Sequence, residues 1–272
     1  WNVFSIGFSS LTSLNTILRF FVRNKIKKSL GGNLRTFIVG AAAIDPNIIE
    51  SFYKIGFKAL QGYGLTECSP LVAGNNDFFY KADSVGLPIP NVEYKINNPD
   101  DQGVGEIIVK GPNVMLGYYN DPEATDNVFK KGWFYTGDLG YIDDDGFLYI
   151  TGRCKSVIVT QNGKNIYPEE IEYYLNASPL VKECIVLGVN YKGDKETYVN
   201  AKLLPDIEAF KGYLNKDDIS DTDIKKEFKE LISEVNKKLP NYKHIKDFKV
   251  VENEFEKTTT QKIKRFGNNL SM

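Results

Sequence analysis

Four short stretches of the chain contain small residues that leave the backbone accessible, and three of them also contain groups that can bind an anion or a metal ion. One of them supplies an aromatic ring, a hydroxyl group and a carboxylate within five positions, from Tyr63 to Glu67. Glycine leaves the backbone bare, so a flat ligand can lie against it. A carboxylate accepts hydrogen bonds and binds Mg²⁺, whereas lysine and arginine bind phosphate. The stretches are GAAA at residue 40, YGLTE at 63, YTGD at 135 and GRCK at 152, and a lysine-rich stretch, EKTTTQKIKR, follows at 256.

The composition excludes several other kinds of chemistry. The chain has 272 residues, of which 42% are hydrophobic and 25% charged, with a net charge of −1. This is a globular composition with room for two domains, and a near-neutral chain lacks the basic footprint of nucleic-acid binding. The single histidine, His244, leaves no His-based metal cluster and disfavours a Ser-His-Asp triad. The cysteines form no CxxC pair, which predicts reduced thiols at Cys68, Cys154 and Cys184.

The sequence predicts a cytoplasmic protein, because no signal-peptide pattern and no run of roughly 18 apolar residues is visible. One amphipathic helix is predicted near the start, where Leu11, Leu14, Leu18, Phe21 and Val22 recur at helical spacing before a lysine-rich end. We interpret it as a packed helix with cations at its C-terminus. The alternative is a helix that lies on a membrane surface, which would place the protein at the inner face of the membrane.

A strand, a short helix and a second strand are predicted between residues 34 and 64. Asp45 is a good N-cap and Pro46 a good first helical residue, and the flanking apolar runs suit buried strands. A βαβ unit makes the two strands parallel, with ligands collecting at their carboxyl ends. The glycines at residues 40, 62 and 64 come at those two ends, so we expect the small residues to line one edge of the sheet.

The fold class expected is mixed α/β and α+β, in three parts. Residues 1–83 form a partial parallel α/β subdomain. Residues 84–153 form a small, mostly antiparallel β subdomain with a hairpin turn at Asp145 and Gly146. Residues 154–272 form a separate α+β domain with a long amphipathic helix before Pro240.

In order, spacing and chemistry, the five stretches resemble those of the adenylate-forming (AMP-binding) enzymes. These are acyl- and aryl-CoA synthetases, luciferases and the adenylation domains of peptide synthetases. The resemblance runs from about residue 32 to residue 265 and is strongest to bacterial long-chain fatty acid–CoA ligases, through GYGLTECSPLVAGN and EFEKTTTQKIKRF. It implies a ligase of lipid metabolism that uses ATP, Mg²⁺ and CoA. A fatty acid carboxylate would be activated as acyl-adenylate with release of pyrophosphate, and then transferred to CoA with release of AMP.

The resemblance also implies how the nucleotide is bound. Tyr63 would stack on the adenine, Asp138 would accept both ribose hydroxyls, and Thr66 would offer its hydroxyl group to the α-phosphate. The small residues along the adenine would be Gly40, Ala41, Ala42, Gly62 and Gly64.

The catalytic charges follow from the same resemblance. Glu67 would hold Mg²⁺, Arg153 would bind ribose or phosphate, and Lys262 would bridge the acyl carboxylate and the α-phosphate. Lys155 stands where the family has its hinge, about which the C-terminal domain alternates between the adenylating and thioester-forming poses. Gly163 would line the path of the pantetheine arm of CoA.

Two departures from the family pattern matter. The residue before the catalytic lysine is Gln261 where the family usually has glycine, and the family's Ser/Thr/Gly-rich phosphate loop is not in the chain. We therefore expect the chain to be the C-terminal half of a longer enzyme, inactive alone and prone to self-association through exposed sheet edges.

Two alternatives remain open. An adenylation domain of a peptide synthetase would be followed by a carrier domain. A non-catalytic nucleotide-binding homologue would have lost Glu67, Asp138 or Lys262, and all three are present.

Overall fold

The computed structural model describes residues 16–40, 44–191, 196–258 and 263–265. The chain divides into two units, Trp1–Ile150 and Thr151–Met272. The mixed α/β fold class is confirmed. The predicted division into three parts, with boundaries after residues 83 and 153, remains a prediction.

The first unit begins with a parallel strand pair. Phe37 lies opposite Ala59 in parallel register, which confirms the βαβ unit. Asp45 caps the helix between the strands, since its carboxylate accepts a hydrogen bond from the backbone N–H of Asn47 at 2.8 Å. The elements are α1 (Thr16–Ser29), β1 (Thr36–Val39), α2 (Pro46–Lys54) and β2 (Lys58–Gly64).

Helix α1 buries a narrower face than the spacing predicts. Ile26 packs against the buried Ile55 and Phe57, but Phe21, which the spacing placed on the packed face, is 62% exposed. Among the described side chains of the helix, the half-buried apolar ones are Val22 and Ile26, four residues apart, and Phe21 points about 100° away from its neighbour Val22. Residues 11 and 14 lie outside the described residues.

The remainder of the first unit is mostly antiparallel, as predicted. One sheet has the order β1-β2-β3-β4, and a second has the order β5-β6-β8-β7 with β9 paired to β8. The turn between β8 and β9 closes through a hydrogen bond from Gly146 N to Asp143 O at 2.9 Å, which confirms the predicted hairpin. The elements are β3 (Leu71–Gly74), β4 (Leu87–Pro88), β5 (Glu93–Asn97), β6 (Gly105–Lys110), α3 (Pro122–Val128), β7 (Phe129–Lys130), β8 (Trp133–Ile142) and β9 (Leu148–Arg153).

The second unit packs helices on a three-stranded sheet of order β12-β13-β14. Strand β12 is antiparallel to β13, and β13 is parallel to β14. The buried core includes Ile171, Leu203, Phe210 and Phe228. The elements are β10 (Ile158–Val159), β11 (Asn165–Ile166), α4 (Pro168–Asn176), β12 (Val181–Asn190), β13 (Thr197–Pro205), α5 (Ile207–Leu214), α6 (Asp221–Lys238) and β14 (Ile245–Val250).

Two further expectations concern the whole chain. Cys68, Cys154 and Cys184 are free thiols, as predicted, and the first and last of them are buried. Within the described ranges, no helix combines the length and apolarity needed to cross a bilayer.

Candidate nucleotide site

The small residues after β1 and at the end of β2 lie side by side. Val39 is paired with Gln61, so Gly40 follows beside Gly62, and a Cβ atom on Gly40 would lie 3.8 Å from the Gly62 carbonyl oxygen. The parallel pairing therefore brings the two small-residue stretches to one edge of the sheet. Ala41 and Ala42 lie outside the described residues.

Gly62, Tyr63 and Gly64 are the last three residues of β2 and pair with β3. A side chain at Gly64 would collide with the carbonyl group of Pro70, and one at Gly62 would come within 3.2 Å of the Ala73 carbonyl oxygen. The close approach of β3 thus requires glycine at Gly64. The chain turns only afterwards, at Thr66.

Tyr63 and Asp138 are joined by a hydrogen bond. The Tyr63 hydroxyl group donates to Asp138 Oδ2 at 2.6 Å, although the residues are 75 positions apart. Asp138 is 4% exposed, and Tyr63 is half-buried. Burial, with the nearby Asp138 carboxylate, raises the pKa of Tyr63 far above its ordinary value, so the hydroxyl group stays protonated and donates. An aromatic ring and an acceptor carboxylate therefore meet beside the bare backbone.

The part of strand β8 that carries Asp138 is held by hydrogen bonds within β8 and to β6. Thr136 Oγ1 donates to the Ile107 carbonyl oxygen at 2.7 Å and accepts the backbone N–H of Asp138 at 3.0 Å. Gly137 has a φ of +71°, and its N–H donates to Glu106 Oε1 at 3.0 Å. That left-handed conformation favours glycine. Neighbouring strand β6 thus fixes the backbone on which Asp138 stands.

Thr66 and Glu67 share a 3₁₀ turn, Thr66–Cys68, which follows β2. Glu67 accepts a hydrogen bond from the Tyr118 hydroxyl group at Oε1, at 3.0 Å, and its carbonyl oxygen accepts the Met115 N–H at 2.7 Å. Thr66 is exposed. The turn places a hydroxyl group and a carboxylate directly after the strand that carries Tyr63.

The Glu67 carboxylate fits a magnesium ion whose other ligands are phosphate oxygens and water. No group of three or more His, Cys, Asp or Glu able to hold a metal ion occurs among the described residues. Mg²⁺ is usually bound by one or two carboxylates together with substrate phosphates and water, so a cage of protein ligands is not required. Glu67 is half-buried, and only its Oε1 has a described side-chain partner.

Arg153, Lys155 and Gly163 belong to the second unit, which begins at Thr151 within strand β9. Arg153 is the last residue of β9, and Lys155 lies in the 3₁₀ turn Cys154–Ser156; both are exposed. Gly163 has a φ of +72° in the loop between β10 and β11, where its N–H donates to the Thr160 carbonyl oxygen at 2.9 Å. The loop conformation favours glycine at this position.

Lys262 lies outside the described residues, but the chain on both sides of it is described. Lys257 pairs with Ile263 in an antiparallel bridge, and the Lys264 N–H donates to the Glu256 carbonyl oxygen at 2.8 Å. The residues on the two sides of Lys262 therefore form one narrow stem.

Sequence reasoning missed the supporting residues Glu106, Tyr118 and Thr136. Thr136 had a signal, since it stands in the quoted YTGD stretch. Glu106 and Tyr118 had none, because their bonds to residues 31 and 51 positions away depend on how the strands and loops pack.

A mixed α/β fold that places an aromatic ring and a buried carboxylate beside glycine backbone offers the features of a nucleotide site. Two family models match the chain: AMP-binding enzyme over residues 5–119, and AMP-binding enzyme C-terminal domain over residues 155–266. The chain belongs to the AMP-binding, adenylate-forming enzyme family.

Curated relatives of the chain include long-chain-fatty-acid–CoA ligases. One from Mycobacterium bovis is 33% identical over 270 residues, which covers 94% of this chain and 43% of the relative. One from Escherichia coli O6:H1 is 40% identical over 190 residues, which covers 67% of this chain and 34% of the relative. The chain thus spans less than half the length of these relatives.

Similar solved structures include o-succinylbenzoate-CoA synthetase from Bacillus subtilis. Its complex with ATP and a magnesium ion has a TM-score of 0.68 and 30% sequence identity, and the match covers 88% of this chain and 48% of that one. Its complex with the acyl-adenylate intermediate has a TM-score of 0.69 and 29% identity, over the same shares of the two chains.

Proposed function

We propose that the protein containing this chain is an AMP-forming fatty acid–CoA ligase. It activates a fatty acid carboxylate with ATP as an acyl-adenylate, releasing pyrophosphate, and then transfers the acyl group to the thiol of CoA, releasing AMP. Family membership supports the reaction class, and the names of the curated relatives support a fatty acid as the substrate.

The observation that carries this proposal is the hydrogen bond of 2.6 Å between Tyr63 and Asp138. A ring beside bare backbone provides a stacking surface for adenine, a contact worth about 1–3 kcal/mol per base. A carboxylate is acceptor-only, so it suits the two hydroxyl groups of a ribose. The bond fixes the ring beside the carboxylate, next to the edge that Gly40 and Gly62 keep free of side chains.

The phosphate groups are assigned to the turn after β2. Thr66 donates its exposed hydroxyl group to an α-phosphate oxygen, and Glu67 supplies a carboxylate oxygen to Mg²⁺ while Tyr118 holds its other oxygen. Mg²⁺, when bound, would neutralise part of the phosphate charge. The protein groups contribute positioning and fixed charge, which are the main sources of catalysis in phosphoryl chemistry.

The remaining roles are assigned to residues of the second unit. Arg153 binds ribose or phosphate through its guanidinium group, Lys262 stabilises the charge that develops between carboxylate and α-phosphate, and Gly163 lines the CoA path. Lys155 is the backbone position that changes conformation between the half-reactions. Lys155→Pro, which fixes φ, is then expected to keep pyrophosphate exchange and lose thioester formation; unchanged thioester formation would exclude this role.

The test uses the full-length natural protein that contains this chain. We expect fatty-acid-dependent exchange of labelled pyrophosphate into ATP, and CoA-dependent acyl-CoA formation. Asp138→Asn keeps the shape but loses an acceptor for the ribose, so the KM for ATP should rise roughly 10- to 100-fold, as expected for a bond to a charged group. Asp144→Asn, an exposed carboxylate on the same hairpin, is the matched control.

Two results would contradict the proposal. AMP binding without exchange for any fatty acid would indicate a non-catalytic homologue. Equal behaviour of Asp138→Asn and Asp144→Asn would exclude Asp138 from ribose binding.

We also propose that helix α1 binds membranes and that the 272-residue chain self-associates. Helix α1 exposes Phe20 and Phe21 beside Arg23 and Lys25, which supports peripheral binding to anionic membranes. Edge strand β1 exposes Ile38 at 85%, which supports self-association of the 272-residue chain. Failure to co-sediment with phosphatidylglycerol vesicles would exclude the first, and a monomer in sedimentation velocity the second.

A further inference from the structure

Arg265 ties the segment that follows Lys262 to the core of the second unit. Its Nη2 atom donates to Glu172 Oε2 at 2.5 Å and lies 3.4 Å from Glu169 Oε1, while its Nη1 atom donates to the Val186 carbonyl oxygen at 3.4 Å. Glu172 Oε1 accepts the backbone N–H of Val186 at 2.7 Å. Arg265, Glu172 and Val186 therefore form a closed ring of hydrogen bonds, which we call the Arg265 clamp.

The segment that precedes Lys262 is held by the same strand, β12. Glu183 accepts the Phe255 N–H at 3.2 Å and pairs with the Lys257 ammonium group. Phe255 packs with Ile185 in an apolar cluster that also includes Leu187 and Ile263. Strand β12 thus anchors the chain on both sides of residues 259–262.

The clamp is a largely buried ion pair. The Glu172 side chain is 13% exposed and that of Arg265 is 26% exposed. Burial raises the pKa of Glu172, and the Arg265 guanidinium group opposes that rise. Removing only one partner of such a pair leaves an uncompensated buried charge, whereas removing both charges does not. Comparing a single variant with the double variant therefore separates a loss of stability from a loss of positioning.

We propose that the Arg265 clamp positions Lys262, and that Arg265 is a positioning residue for the adenylation half-reaction. The inference rests on the role of Lys262 given under the proposed function. Arg265 follows Lys262 by three residues, so its anchor lies within about 10 Å of extended chain from Lys262. A lysine that must meet a carboxylate and a phosphate loses rate when its backbone is free to shift, since a misplacement of about 1 Å can cost about 10²-fold.

The experiment compares four variants of the full-length natural protein: Arg265→Met, Glu172→Gln, the double variant with both changes, and Lys264→Met as a matched loss of charge one residue away. We expect Arg265→Met to lower the rate of ATP–pyrophosphate exchange roughly 10- to 100-fold, with an unchanged KM for ATP. Thioester formation from supplied acyl-adenylate should persist. Lys264→Met should behave like the unmodified protein.

The double variant separates the two roles. Without the Glu172 charge it should regain part of the thermal stability that Arg265→Met loses, since only Glu169 then still lacks its cation, but it should remain slow in pyrophosphate exchange because the segment is still untied. Amide hydrogen exchange across residues 256–265 should be faster in both Arg265 variants and unchanged in Lys264→Met. Recovery of the exchange rate in the double variant would show a merely structural role and overturn the proposal.

Two further results keep the clamp and the proposed function distinguishable. Unchanged amide exchange in Arg265→Met would show that the clamp does not hold the segment, whatever the activity. If Lys262→Ala leaves pyrophosphate exchange intact, the catalytic role of Lys262 fails, and with it the functional part of this inference. Amide exchange still decides the clamp in that case.

Discussion

At the scale of single residues, the hydrogen bond between Tyr63 and Asp138 means that the Tyr63 side chain has two proposed roles. Its face is assigned to the adenine, and its hydroxyl group donates to the carboxylate assigned to the ribose. Because its pKa is raised by burial and by Asp138, Tyr63 remains a donor at any physiological pH. The two roles can be separated by substitution.

Tyr63→Phe should be much milder than Tyr63→Ala. Phenylalanine keeps the ring and removes one hydrogen bond, so we expect AMP affinity to fall by no more than about tenfold. Alanine removes the stacking surface, which is worth about 1–3 kcal/mol, or roughly 5- to 150-fold in affinity. Calorimetric titration of the full-length protein with AMP measures both. Tyr119→Ala, at a residue that is 93% exposed, is the control. Equal losses for phenylalanine and alanine would show that the ring is not the platform for the base.

The sequence identified candidate site residues but not the residues that support them. Tyr63 and Asp138 were identified because their neighbours carry the family resemblance. Glu106 could not be identified, because its bond to the Gly137 N–H arises only when β6 and β8 pair in the observed register. Neither could Tyr118, which reaches Glu67 across 51 positions. Local patterns identify groups with chemical roles, whereas their orientation depends on non-local packing.

At the scale of elements, the start of helix α6 combines a capping box with a salt bridge. Ser220 and Asp223 cap each other's backbone, and the Lys216 ammonium group donates to Asp223 Oδ1 at 2.9 Å. The hydrogen bond from Lys216, followed by those from Ser220, lowers the pKa of Asp223 to about 2. The carboxylate is therefore charged in the folded state under nearly all conditions.

This depressed pKa predicts a pH-dependent effect of Asp223→Asn. A group whose pKa is lowered by folding stabilises the folded state above its ordinary pKa, here near 3.8, and loses that contribution as the pH falls towards 2. Asp223→Asn should therefore lower the thermal midpoint of the second unit at pH 7, and the difference from the unmodified protein should shrink below about pH 4. Circular dichroism melts from pH 7 to pH 3 measure it. A difference that does not change with pH would contradict the assigned charge.

Helices α3 and α5 are too short for an apolar periodicity to be recognised in the sequence. Helices α3 and α5 have seven and eight residues, and the sequence pattern predicts neither of them. Eight residues span little more than two turns, which is too short a run to distinguish the apolar period of helix α5 from chance. Their signals are caps: Asp121 before Pro122 in α3, and Asp206 in α5, each accepting a backbone N–H two or three residues into the helix. Longer elements such as α6 were predicted because periodicity extends over several turns.

At the scale of the whole molecule, the buried apolar clusters follow the division into two units. The largest cluster of the second unit draws on residues from Ile158 to Ile245, and its companion cluster on residues from Ile185 to Ile263. The clusters of the first unit end at Leu148. Each unit thus has its own core, which is the condition for folding alone.

Residues 151–272 expressed alone should fold cooperatively. The core of this unit is built by its own helices and sheet, with Phe210 and Phe228 in edge-to-face contact at 5.5 Å and both fully buried. We expect a single sigmoidal urea transition and dispersed amide resonances. Phe228→Ala should cost about 3–5 kcal/mol of unfolding free energy, the scale for removing a buried phenylalanine, whereas Tyr213→Ala, at a residue that is 62% exposed, should cost little. A gradual transition in the unmodified fragment, or equal effects of the two substitutions, would show that this core is not sufficient and that the second unit depends on the rest of the chain.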